Sequence, residues 1–401
     1  MWSTFAHGGC GHPRPSRHLL RVTALLVVLI AGAGAHHVAV DVHATQTPAS
    51  PPDTLPPALD EYVRTVAGLT SDEVASLLDG APLAKLLETE TSREVAVFGA
   101  VWIDAPIADY VDAVEDIETF ERGDGFLITQ RISDPPRLED FDELELPAED
   151  IEDLQSCRIG DCEIKLSQAP LERIQTEIDW SRPTARDEVN AVVRRLVFDF
   201  VTGYLEGGNE QLGVYRDSDD PTFVAEEFES MIERLPSLVD NLPDLKRYLL
   251  EYPEASLPGA TSFLYWQMVE FGLKPTLRVN HVVIRPSESG VVVATKMLYA
   301  SHYFWTALDL RLLVPDPARG PGFWLITHGR SRSDGLTGFP GLFVRGHAER
   351  GARDGAMAVL RATKARLEAQ GAPAAARVEP AGIQNVTPEQ HDRVHPHPLS
   401  R

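Results

Sequence analysis

The chain is short of positive charge. Against 60 aspartates and glutamates stand 37 lysines and arginines, a formal net charge of -23 over 401 residues. That balance argues against nucleic acid as a partner, because phosphate recognition needs a basic surface. It also disfavours stable docking on an anionic membrane. Cysteine is scarce too, with three in all. No second cysteine pair or neighbouring histidine accompanies Cys157 and Cys162, so half of a zinc site is the weaker reading of that pair. No cysteine follows the N-terminal apolar segment at a lipobox position, and beyond that segment no run approaches transmembrane length. The sequence also lacks a Gly-x-Ser-x-Gly elbow, a P-loop, a Gly-x-Gly-x-x-Gly fingerprint and a His-Glu-x-x-His helix. No pair of acids is fixed at glycosidase separation. The common catalytic signatures are therefore missing, and no cofactor is expected.

What is present begins with an export-like N-terminus. Arg14, Arg17 and Arg21 precede an apolar stretch from Val22 to Ala33, and Ala33-Gly34-Ala35 offers a cleavage site. Residues 1–35 read as a signal peptide, with an uncleaved membrane anchor as the alternative, and the expected location is periplasmic or extracellular. Val42-His43-Ala44 is a second possible cleavage site. Residues 36–57 read as a Thr/Pro/Ser linker and 372–401 as a disordered tail, whose His391, His395 and His397 could chelate a metal only incidentally. Cys10 would leave with the signal. In Cys157-Arg-Ile-Gly-Asp-Cys162, Ile159-Gly160 suits the centre of a tight turn, which would set the two cysteines across a hairpin at disulfide distance.

The main structural signal lies between Thr261 and Ser331. Five β-branched and aromatic runs, at 261–271, 276–285, 290–299, 302–314 and 323–331, are separated by Gly and Pro breakers. The connections are too short for helical crossovers, so the strands form an antiparallel meander. From about 341 to 368 the period becomes helical, with Ala352, Ala356, Val359, Leu360, Thr363 and Leu367 on one face. Gly346, Ala348, Gly351, Ala352, Gly355 and Ala356 make the first half of that helix small-sided, which suits either a ligand or close packing. Gly335 to Gly341 is a lead-in that could act as a gate. The expected fold is α+β, a curved antiparallel sheet closed by a long C-terminal helix.

Ahead of the meander, 58–68 and 71–88 read as helices, the second capped by Ser71. Strand 93–103, Asp104-Ala105-Pro106, helix 107–120 and strand 126–132 follow. Residues 133–258 form a large insertion. Its start is an acidic run from Leu138 to Asp153, best read as solvated surface, with calcium ligation conceivable. Glu163 to Leu166 reads as a strand. Helices are expected at 170–180, 186–204, 223–235 and 242–252, either capping a cavity or enlarging the core.

The succession Val95 to Ile103, Asp104-Ala105-Pro106, helix 107–120, meander 261–331 and helix 341–368 resembles the START-like, helix-grip superfamily, which includes StAR-related lipid-transfer domains and polyketide cyclases. The resemblance covers about half of the expected mature chain and rests on pattern and order. It implies a cavity between sheet and terminal helix holding an apolar ligand, and it carries over no catalytic residue. Within the meander, His281, Tyr299, His302, His328 and Arg330 are the candidate polar anchors of such a ligand. Trp266, Trp305 and Trp324 are the candidate aromatic walls. Strand period groups these residues but does not say which group faces the cavity.

The reading is an exported protein that binds a hydrophobic, lipid-like or polycyclic molecule, with partner proteins unspecified. The alternative is a cyclase- or hydrolase-like enzyme on the same scaffold, with a cavity histidine as acid and base. A third is a structural or partner-binding envelope protein whose interior is filled, without a cavity of roughly 300 Å³.

Overall fold

The computed structural model describes residues 54–371, except 124, 234, 236–241, 272–273, 335 and 337, and the side chains of 271, 338–344 and 371. The expected export signal, the expected linker up to residue 53, Cys10 and the His-containing tail lie outside the described residues, as does part of the 335–341 lead-in.

The chain starts with α1 (Pro57–Thr65) and α2 (Ser71–Leu78). The cap of α2 is Thr70, one residue ahead of the expected Ser71: its hydroxyl accepts from the Glu73 amide, and the Glu73 carboxylate accepts from the Thr70 amide. That reciprocal pairing satisfies two amides the helix cannot. The helix expected to reach residue 88 stops ten residues earlier. Gly80 turns the chain at φ +87°, and Leu83–Leu87 becomes β1, an edge strand paired antiparallel to β2 (Glu94–Ile103). Next come α3 (Ile107–Glu115) and α4 (Ile117–Phe120), one expected helix broken at Asp116, and then β3 (Phe126–Arg131).

The insertion supplies α5 (Ala148–Ser156), α6 (Gln168–Glu177), α7 (Ala185–Gly207), the two-residue strands β4 (Val214–Tyr215) and β5 (Thr222–Phe223), α8 (Val224–Ile232) and α9 (Pro243–Glu251). Glu163 to Leu166 is not a strand. It is irregular chain tied down by bonds from the Lys165 amide to the Ser301 carbonyl and from the Arg216 amide to the Leu166 carbonyl, each 2.9 Å. The cysteine turn forms as expected. Gly160 sits at φ +85°, Arg158 bridges Asp161, and the Cys157 and Cys162 sulfurs are bonded at 2.05 Å.

The meander is β6 (Thr261–Phe271), β7 (Lys274–Ser287), β8 (Gly290–Ala300), β9 (Phe304–Pro315) and β10 (Phe323–Ser333), followed by α10 (Gly338–Gly371). All pairings are antiparallel, in the order β1-β2-β10-β9-β8-β7-β6-β3. The first long strand thus joins the last, and β3 closes the far edge.

Both faces of this sheet are covered. On the inner face, Val101, Ile103, Tyr265, Val282, Val293, Leu313 and Leu325 pack with Tyr110, Val114 and Ile117 of α3–α4 and with Leu360 and Leu367 of α10. At its other end, Val95, Val269, Met297 and Ala307 pack with Ala348 and Ala352 of α10. The backbone of α10 runs close to β2 and β1. Gly99 lies tightly between β10 and α10: a Cβ there would lie 2.5 Å from the Thr327 hydroxyl and 3.0 Å from Leu360 Cδ1. The outer face is covered by α1–α2 over β2 and β10, by α8–α9 over β8 and β9, and by α6–α7 over β6 and β7. Most of the insertion is therefore a second core layer.

Candidate functional site

Cross-strand register places a polar band across the middle of the inner face. Gln267 stands opposite Arg278, Tyr265 opposite Asn280, Val282 opposite Thr295, Thr295 opposite Asp309, and Arg311 opposite Thr327. Apolar clusters flank this band on both sides along the strands. Its charged members are deeply buried: Arg278, Asp309, Arg311 and Glu121 are each at most 5% exposed. Unpaired charges at such depth would be prohibitive, so each must find a partner.

They do. Arg311 Nη2 donates to Asp309 Oδ2 at 2.6 Å, and Arg311 also hydrogen-bonds Tyr110 of α3. Burial works against the Arg311 charge, but Asp309 and the surrounding groups outweigh it and raise its pKa. With the Gln267 amide oxygen turned to Arg278, the amide nitrogen donates to Glu121 Oε2 at 2.8 Å and the oxygen accepts from Arg278 Nε at 3.0 Å. Tyr265 hydrogen-bonds Glu121 as well. Burial raises the Glu121 carboxyl above its usual range and lowers the Arg278 guanidinium. Burial also lifts Tyr265 well above an ordinary phenol.

One residue in this band is different. Thr295 lies at the centre of β8, yet keeps intermediate exposure, while its cross-strand neighbours Val282 and Asp309 are buried. Small residues continue the band from there: Gly329 is opposite Asp309, and Gly99 is opposite Thr327. Thr295 thus keeps some accessibility beside an array of hydroxyl, amide and charged groups.

The residues singled out in the sequence sit elsewhere. Trp266, His281, Tyr299, Trp324, His328 and Arg330 point to the outer face, away from α10, and the layers on that side engage them. Trp266 Nε1 donates to the Asp140 carbonyl at 2.8 Å, and Trp324 Nε1 to Asp316 Oδ2 at 3.2 Å. The Tyr299 hydroxyl donates to the Lys165 carbonyl at 2.9 Å. His281 Nδ1 is 2.9 Å from the Tyr204 hydroxyl of α7, and His328 Nε2 is 2.8 Å from the Tyr62 hydroxyl of α1. Arg330 pairs with Glu94 through Nη1 at 2.5 Å. Burial, with a smaller contribution from Lys296 for His281 and from Arg330 for His328, pushes both histidines down to about 3. Both are therefore neutral at physiological pH, and such low values suit neither to be an acid–base catalyst near pH 7.

His302 lies in the β8–β9 turn and Trp305 near the start of β9. His302 is clamped between the Glu163 carbonyl at 3.0 Å and both Asp150 carboxylate oxygens at 3.1 Å. Asp150 is 1% exposed, so the acidic run is not solvated throughout: this member anchors α5 to the sheet. Trp305 is buried, with the Arg93 guanidinium 5.3 Å from its ring. The eight candidates thus do not converge on one site. Among the described residues no group of His, Cys, Asp and Glu is assembled to hold a metal ion.

The inner-face band was readable only as an anomaly. Asp309-Leu310-Arg311 puts two charges two residues apart inside an apolar strand, and Arg278-Val279-Asn280 does the same with one charge and an amide. Neither pattern suits a plain core face.

No known family profile and no curated protein sequence matches the chain. Among the described residues no helix is long and apolar enough to cross a membrane.

Proposed function

We propose that the protein is an exported carrier of an apolar molecule with one polar end, held between the sheet and α10 in the manner of START-like, helix-grip proteins. The observation that carries this reading is the residual accessibility of Thr295 in the middle of an eight-stranded sheet covered on both faces. Several features support it. The element order and the pairing of β2 with β10 and β6 with β3 suit that architecture. The apolar clusters on either side of the polar band would bury a hydrocarbon body at about 25 cal/mol per Å². The Thr295 hydroxyl, with the Asp309–Arg311 pair behind it, would receive a hydroxyl or carbonyl of the ligand. A disulfide suits an oxidising compartment, which agrees with export by the N-terminal signal.

The test is mass spectrometry of an organic extract of protein purified without detergent from its native host. A stoichiometric apolar compound is the expected result. A compound-free extract, together with no binding of a fluorescent fatty acid or sterol, would refute the reading.

A further inference from the structure

Two other lysines sunk into this protein carry their own counter-charges. Lys165 Nζ lies 2.9 Å from Asp217 and 2.6 Å from Asp334. Lys274 pairs with Asp153 and lies 3.7 Å from Glu149. Lys296, at the centre of β8 on the outer face, is fully buried and faces no carboxylate among the described residues. Its Nζ donates instead to neutral oxygens, the Asn209 side-chain carbonyl and, at 3.4 Å, the Leu249 carbonyl. The Phe228 and Tyr204 rings lie 4.4 and 5.3 Å from the nitrogen. His281 stands directly across on β7, bonded to the Tyr204 hydroxyl. The Tyr252 ring, half-buried, lies 4.9 Å from His281. The insertion thus encloses an amine, an imidazole and a phenol within aromatic walls.

A stable core has no use for a buried amine without a counter-charge, since a methionine of similar volume would fill the space without a desolvation cost. Chemistry has a use for it, because a desolvated lysine is the usual imine-forming nucleophile. We propose that Lys296 binds a carbonyl-bearing apolar molecule, an aldehyde or ketone, as a Schiff base. The Nζ lone pair attacks the carbonyl carbon and the C=O π electrons move to oxygen. The nitrogen gives up a proton and the oxygen gains one, forming a carbinolamine. Its hydroxyl leaves as water when protonated, and the nitrogen lone pair closes the C=N bond. No oxidant or reductant is needed. The Tyr204 hydroxyl, held by the neutral His281 ring, is the hydroxyl placed to hydrogen-bond the carbonyl oxygen, and among the described residues no further cation lines the aromatic enclosure, which disfavours carboxylates and phosphates. Burial supports the same reading, since it lowers the Lys296 ammonium to about 7. At neutral pH about half of it is free amine, against about one part in 2,500 for an exposed lysine.

The test is reductive trapping of the full-length protein with benzaldehyde and sodium cyanoborohydride at pH 7, followed by peptide mapping. The expected result is an adduct on Lys296 formed at least tenfold faster than on any exposed lysine, with a rate midpoint near pH 7. Lys296→Met removes that adduct and leaves the slow background, while Tyr204→Phe slows its formation. Adducts spread over exposed lysines, with Lys296 labelled only after unfolding in urea, would overturn the proposal. So would a Lys296 midpoint near pH 10. The wild-type labelling pattern decides the matter even if Lys296→Met fails to fold.

Discussion

The Asp309 carboxylate and the Arg311 guanidinium, two residues apart on β9, meet at 2.6 Å on the face that α10 covers. Each is about 4% exposed, so each depends on the other for its charge to be tolerated. Asp309→Asn or Arg311→Met alone strands the remaining partner and is expected to cost about 3–5 kcal/mol. The double variant is expected to cost clearly less than the sum of the two. Urea unfolding of the four proteins closes the cycle, and simple additivity would show that the pair is not coupled.

His281 and His328 make the fold sensitive to acid. Both are held at about 3 in the folded protein, against about 6.5 when free. Between those values the unfolded chain binds protons that the folded chain refuses. Stability is therefore full above about pH 6.5 and falls as the pH drops toward 3, by up to about 4–5 kcal/mol for each histidine. The thermal midpoint should drop steeply between pH 7 and 4.5. His281→Gln and His328→Gln should each flatten that drop, and an unchanged slope would show that these rings take up protons without unfolding.

Gly99 leaves no room for a side chain between its β10 neighbour Thr327 and Leu360 of α10. An alanine methyl would press on both the Thr327 hydroxyl and Leu360, so Gly99→Ala is expected to destabilise the protein by about 1–3 kcal/mol. The urea midpoint measures it. No loss would mean that α10 moves aside without penalty.

The strands of the meander and the terminal helix were legible within two or three residues, because their periods are long and Gly and Pro bound them. The side of the sheet was not. A strand buried on both faces is apolar at odd and even positions alike, so alternation groups residues without orienting them. Histidines and tryptophans drew the choice toward the outer face, where they serve α1, α7 and the Asp140 carbonyl. The inner-face band, Asp309, Arg311, Arg278 and Thr295, carried fewer conspicuous residue types. Leu83 to Leu87 misled for a related reason: a leucine-rich segment after a helix fits either period, and the turn at Gly80 decides between them. The cysteine turn was legible because Gly at its third position left little choice.

The most direct measurement is equilibrium binding of the fluorescent fatty acid cis-parinaric acid to the wild-type protein and to Thr295→Trp, whose indole would occupy the proposed ligand site above β8. The account predicts saturable binding near one per chain for the wild type, and at least a tenfold weakening in Thr295→Trp with an unchanged circular dichroism spectrum. No binding by the wild type, or equal binding by a folded Thr295→Trp protein, would contradict a ligand lodged between the sheet and α10.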